Sequence, residues 1–217
     1  MYRKLENLNK IIDSGIVLIV RLATDRESIE VAEAAIQGGI NVIEIPMAVP
    51  NALKVVKYLS DKYKKQGVLI GTGTVLDGET ARAAILAGAE LLVSPNLNPD
   101  MIKVANRYQV VTMSGAYTPT EIQNTLEAGA DIVKLFPAEF VNPNYIKSVL
   151  APLSHAPISP TGGVTPENVH QWFSAGAVCV GVASYITKAA AHDNDMSKVT
   201  KAAQTFLEAV KKAKVKL

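Results

Sequence analysis

Eight short apolar runs alternate with amphipathic stretches along this chain. They are "IVLIVRL" (16–22), "VIEIP" (42–46), "VLIGTG" (68–73), "LLVSP" (91–95), "VVTMSG" (110–115), "IVKLFP" (132–137), "ISPTGG" (158–163) and "VCVGVA" (178–183). Runs that are apolar throughout, rather than at every second residue, read as strands covered on both faces, the habit of parallel sheets. Between them lie helical patterns such as "ESIEVAEAAIQ", "GETARAAILAG", "TEIQNTLEAG" and "PENVHQWFSAG", many opening on a capping residue and closing on glycine. Gly38, Gly88, Gly129 and Gly176 stand just ahead of strands and are expected in the left-handed conformation that ends a helix. Strands alternating with helices imply a parallel α/β sheet, and eight such units closing on themselves make a (β/α)8 barrel, here with an additional N-terminal helix. An open doubly wound sheet is the alternative. No Pro/Gly/Ser-rich linker interrupts the pattern, so residues 1–217 read as a single barrel domain.

In a barrel the chemistry gathers at the C-terminal ends of the strands. Those ends carry Arg21, Glu44, Thr72 with Thr74, Ser94 with Asn96, Ser114, Lys134, Thr161 with Gly162 and Gly163, and Ser184. Lys134 stands out because it interrupts the apolar run "DIVKLF", where an unpaired charge costs several kcal/mol to bury. Strands 2 and 6 face each other across an eight-stranded barrel, so Glu44 and Lys134 converge if both point inward. The pair reads either as a buried structural ion pair or as a nucleophilic lysine with a proton-shuttling carboxylate. Burial disfavours a charged amine, and a neutral amine attacks ketones. The glycines of "PTGG" and the "GVAS" stretch ahead of "YITKAA" form a second constellation. They follow strands 7 and 8, where barrels of this kind hold phosphate on backbone N–H groups and a short extra helix.

Several function classes fall away on composition. The 22 basic and 20 acidic residues leave a net charge of +2, and no basic stretch is interleaved with aromatics, so nucleic acid is not an expected partner. The basic tail "KKAKVKL" suits a solvated helix end. Cys179 is the single cysteine, and His155, His170 and His192 share no ligand spacing, so neither a disulfide nor a metal site is expected. Trp172 and Phe173 sit at core spacing, and "GTGTV" lacks the spacing of a dinucleotide fingerprint. No apolar run approaches 18 residues and the start lacks a signal-peptide core, so a cytoplasmic protein with no membrane partner is expected.

Taken in order, "VIEIP", "IGTGTV", "VSPNL", "VKLFPAE", "SPTGG" and "VGVAS" resemble the 2-keto-3-deoxy-6-phosphogluconate (KDPG) and 4-hydroxy-2-oxoglutarate (KHG) aldolases, class I enzymes that work through a lysine Schiff base. The resemblance covers nearly the whole chain, and "KLFPAE" is its most specific piece. It implies reversible cleavage of a phosphorylated 2-keto-3-deoxy sugar acid to pyruvate and glyceraldehyde 3-phosphate, by a homotrimer with no cofactor and no metal. Carried over by position, it makes Lys134 the imine-forming residue and Glu44 the general acid/base. Arg21, Thr74, Pro95 and Ser114 would bind the keto acid, with Arg21 on its carboxylate. Thr161, Gly162, Gly163, Ala183 and Ser184 would hold the phosphate. The chain departs from common patterns at Ala48, where some members have arginine, at Ser114 in "SGAYTPTE", where "PG" is frequent, and at Ala183, where glycine is common. The galactonate analogue and KHG are alternative substrates. Two readings of other classes are a barrel isomerase or decarboxylase without a covalent intermediate, and a non-catalytic sugar-phosphate sensor.

Overall fold

A computed structural model describes residues 2–215; the last two residues of the basic tail lie outside them. Eight parallel strands form one sheet: β1 (Ile16–Ile19), β2 (Val42–Pro46), β3 (Leu69–Gly73), β4 (Leu91–Val93), β5 (Val111–Ala116), β6 (Ile132–Leu135), β7 (Ile158–Pro160) and β8 (Val180–Val182). Seven parallel pairings join the eight strands in the order β7-β6-β5-β4-β3-β2-β1-β8. The two ends meet through a bridge between Thr161 and Gly181 and a hydrogen bond from the Val178 N–H to the Ile158 carbonyl at 3.0 Å. The sheet is therefore the barrel that the alternation implied.

The outer helices are α2 (Asp25–Gln37), α3 (Ala52–Tyr63), α4 (Gly78–Leu86), α5 (Pro99–Tyr108), α6 (Pro119–Glu127), α7 (Pro143–Leu150), α8 (Val169–Ser174) and α10 (Met196–Lys214), with α9 (Ser184–Thr187) a single turn after β8. Side chains start several of them: Thr24, Asp77 and Asn98 accept hydrogen bonds from the N–H groups of Glu27, Thr80 and Met101. Thr118 and Glu121 form a reciprocal capping box ahead of α6. Each of these caps fixes where a loop at the barrel mouth turns into its helix.

The two faces of the strands separate cleanly. Val17, Val42, Leu69, Leu91, Val93, Val111, Met113, Ile132 and Cys179 pack together inside the barrel, while the alternate residues pack under the helices. The N-terminal helix α1 (Arg3–Ser14) closes the bottom with the fully buried Ile11. It is held by an ion pair of Lys4 with Asp131 at 2.9 Å, by Arg3 with Glu90, and by the Asn7 amide donating to Glu90 at 2.8 Å. The floor of the barrel is thus an apolar, buried cluster.

One expectation about glycine needs correcting. Gly88, Gly129 and Gly176 have φ of 102°, 88° and 105°, as expected, but Gly38 is right-handed at −76° and Gly39 takes the left-handed position at 100°. A Cβ at Gly38 would lie 2.6 Å from the Thr200 carbonyl and 2.7 Å from the Ala203 Cβ. Gly38 is small because α10 crosses there.

Candidate active site

Inward-facing positions follow from the strand faces. Glu44 shares its face with Val42, and Lys134 shares its face with Ile132, so both point into the barrel above the apolar floor. Their strands lie four places apart in the eight-stranded order, which sets them across the mouth from one another. Lys134 is 7% exposed and Glu44 2% exposed. Among the described residues neither takes part in an ion pair within 4.0 Å, so the structural ion-pair reading does not describe them. The Lys134 Nζ lies 5.2 Å from the centroid of the Phe136 ring. Burial pushes the Glu44 carboxyl above the ordinary carboxylate range, and the fields of Lys134 and Arg21 only partly oppose that rise. The result is an unpaired lysine amine facing a carboxyl that burial favours in its protonated form.

Arg21 was expected at an inward strand end. It stands two residues past the end of β1 and is exposed, because the chain leaves the sheet after the Val20 N–H bonds the Glu44 carbonyl at 2.9 Å. Its charge still reaches the mouth, since it acts on Glu44.

Thr74 follows β3 directly and has φ of 55°, a left-handed conformation that a β-branched residue adopts only under strain. Such strain is typical where a backbone is held for a purpose. Pro95, half-buried, continues the inward face of β4, and its carbonyl packs over Gly115, where a Cβ would be 2.0 Å away.

Ser114 must be withdrawn as a substrate contact. It belongs to the outward face of β5 and is fully buried; its hydroxyl accepts from the Asn98 N–H at 3.3 Å and has the Ser94 hydroxyl at 3.0 Å and the Asn96 carbonyl at 3.1 Å as acceptors for its one proton. It braces the loop that follows β4 rather than facing the mouth. Ser94 is likewise buried and donates to the Asn96 carbonyl at 2.7 Å. Thr72 also faces outward, and its hydroxyl is buried without a partner.

Thr161 is 6% exposed, with its backbone fixed by Leu135 and Ala138 on either side and its hydroxyl without a hydrogen bond. Gly162 and Gly163 have φ of 110° and 70°, so only glycine fits them without strain. They rest against Ala138 and Glu139 after β6. Among the described residues the N–H groups of Gly163 and Ser184 donate to no carbonyl. Ala183 follows β8 and Ser184 opens α9, exposed beside it.

Two interior residues escaped the sequence reading. Gly181 makes room for Thr161, since a Cβ there would come within 2.2 Å of its hydroxyl. Ser159 accepts from Cys179 at 3.3 Å, and burial pushes that thiol up to about 11, which leaves it unreactive. Their signal was parity with Thr161 and Cys179, which a run apolar on both faces does not reveal. Among the described residues no three His, Cys, Asp or Glu side chains gather as a metal site. His155 and His192 lie in turns and His170 on α8. Grooves of 360 Å³, between Pro166, His170 and Lys212, and 560 Å³, between Arg82, Asp100 and Arg107, lie between outer helices.

The sequence matches the family model described as KDPG and KHG aldolase over residues 8–202. It is 34% identical over 199 residues to the 2-dehydro-3-deoxy-6-phosphogalactonate aldolase of Escherichia coli (strain K12), covering 91% of this chain and 95% of that protein. It is 31% identical over 197 residues to the 2-dehydro-3-deoxy-phosphogluconate aldolase of Treponema pallidum (strain Nichols), covering 90% and 93%. The solved structure described as "Native KDPGal structure" superposes with a TM-score of 0.85 at 33% identity, covering 93% of this chain and 96% of that one.

Proposed function

This chain belongs to the KDPG and KHG aldolase family, an aldehyde-lyase, and we propose that it cleaves 2-dehydro-3-deoxy-6-phosphogluconate reversibly to pyruvate and D-glyceraldehyde 3-phosphate through a Schiff base on Lys134. The observation that carries this reading is the unpaired, inward amine of Lys134 facing the buried carboxyl of Glu44. A buried lysine with no counter-ion is costly for stability and is what an imine-forming site requires.

The chemistry then runs as follows. The Lys134 amine adds to the C2 ketone, and the carbinolamine loses water to give an iminium. The Glu44 carboxylate takes the proton of the C4 hydroxyl. The C3–C4 bond breaks, its electrons pass into the iminium to form an enamine, and the aldehyde leaves. Glu44, now protonated, returns a proton to C3. Water hydrolyses the pyruvate imine, freeing pyruvate and the amine. Burial raises the Glu44 carboxyl, the direction that suits a group which must both take and return a proton. The site asks for no cofactor.

Around this centre Arg21 would bind the substrate carboxylate and Thr74 and Pro95 the keto acid. Arg21→Lys should raise KM roughly 10-fold with a smaller change in kcat, since an ammonium does not reproduce a bidentate guanidinium. Steady-state kinetics at fixed salt decide this, and unchanged constants would remove Arg21 from the site.

For the phosphate, Thr161, Gly162, Gly163, Ala183 and Ser184 are the proposed cup, supported by the free N–H groups and the left-handed glycines. Gly162→Ala should depress kcat/KM for the phosphorylated substrate about 10-fold or more, because strain at φ of 110° displaces the N–H groups of the loop from the anion, while sparing hydroxyoxoglutarate. Equal losses on both would argue against the cup.

The 34% identity to a galactonate-type enzyme favours 2-dehydro-3-deoxy-6-phosphogalactonate as the second reading. Pyruvate release from the gluconate and galactonate compounds, assayed side by side, separates the two. A homotrimer in the cytoplasm, serving Entner–Doudoroff breakdown of sugar acids and formed of one barrel domain, completes the proposal. Among the described residues no helix is long and apolar enough to cross a membrane.

A further inference from the structure

We propose that Gly73 is a positioning residue for the reaction: its missing side chain is the slot that aims the Glu44 carboxyl at the barrel mouth. The inference rests on the acid/base reading of Glu44 for its consequence in catalysis, but its geometry does not.

In register, Glu44 pairs with Gly71 on β3, and Gly73 lies two residues nearer the mouth. A Cβ built on Gly73 would fall 1.7 Å from Glu44 Oε1, 2.4 Å from Cδ and 2.9 Å from Cγ. The glutamate side chain therefore leans diagonally across the neighbouring strand and lies in the space that any other residue at position 73 would fill. The three nearest atoms all belong to Glu44, and no backbone atom is among them. Gly73 is not in the left-handed region, so its backbone does not demand glycine.

The other inward glycine of β3 differs. A Cβ at Gly71 would strike Leu91, including its carbonyl at 2.8 Å, so Gly71 serves strand packing. At Gly73 the nearest conflict is instead with one flexible side chain. An alanine there would move the carboxyl and leave the barrel standing.

Among the described residues no ion pair within 4.0 Å fixes the carboxyl, and the charged groups that act on it are Lys134 on β6 and Arg21 beyond β1. With no partner to hold it, the shape of the slot sets where the proton is exchanged. An ångström-scale misplacement of a catalytic group costs on the order of 100-fold in rate.

The test combines Gly73→Ala, Glu44→Gln and the double variant. The Glu44 titration is followed by carbon-13 NMR of glutamate-labelled protein and assigned by its loss in Glu44→Gln. Gly73→Ala should stay folded, shift the Glu44 titration away from its wild-type midpoint, and lower kcat about 100-fold with little change in KM. Added to Glu44→Gln it should cost nothing further, and Gly73→Ala with the shorter Glu44→Asp should recover part of the rate. An unmoved titration, or losses that multiply in the double variant, overturns the proposal. Full activity of Glu44→Gln would instead remove the acid/base reading, and the titration would still decide the positioning role of Gly73.

Discussion

Glu44→Gln is expected to lower kcat by roughly 100- to 10,000-fold, the usual contribution of a positioned general acid/base. Glutamine keeps the size of the side chain in its slot beside β3 but neither accepts nor returns a proton. The wild-type rate should show an acidic limb displaced above the ordinary carboxylate range, because burial raises the Glu44 carboxyl, and that limb should vanish in the variant. Stability should move the opposite way. A carboxyl whose folded value lies above its unfolded one contributes stability that is fully present below the unfolded pKa and is lost as pH rises through the folded one. Glu44→Gln should therefore match or exceed the wild type in melting temperature at neutral pH, and lose that advantage in acid. Thermal unfolding across a pH series checks it; a variant less stable at neutral than at acid pH, relative to wild type, would contradict the assignment of burial as the cause.

Lys134→Ala and Lys134→Arg should both be inactive, below about one ten-thousandth of the wild-type rate. Alanine removes the nucleophile, and arginine replaces it with a guanidinium that stays protonated. The alanine variant should remain folded, since it takes away a buried amine that has no ion-pair partner among the described residues and the apolar floor below it is untouched. Circular dichroism and steady-state assays decide both points. Turnover persisting in either variant would move the chemistry to another group.

The two central residues were legible because they are charged. In a strand apolar on both faces a lysine or glutamate announces itself, and its inward face follows from the spacing to Ile132 or Val42. The limits of β2 were readable for the same reason: a clean apolar run ends at Pro46. Ser114 was misplaced because "VVTMSG" carries no such mark. Both of its faces are buried, so a small polar residue gives no sign of which way it points, and its partners lie in the loop after β4. Arg21 was misplaced because the apolar run continues to Leu22, while the pairing that defines β1 stops at Ile19. The choice between Gly38 and Gly39 depends on α10, some 160 residues further along, and no local pattern encodes it. The slot at Gly73 was hidden likewise, since a glycine in "IGTGTV" marks a close approach without saying of what until the neighbouring glutamate is seen lying over it.

Borohydride reduction in the presence of pyruvate tests the central claim most directly. The imine between the Lys134 amine and the pyruvate carbonyl becomes a stable secondary amine, so the enzyme loses activity and gains the mass of one reduced pyruvate per chain. Digestion and mass spectrometry should place that mass on the peptide containing "DIVKLFPAEF", with none in Lys134→Ala. An adduct on a different lysine, or no adduct while the enzyme turns over, would contradict the account.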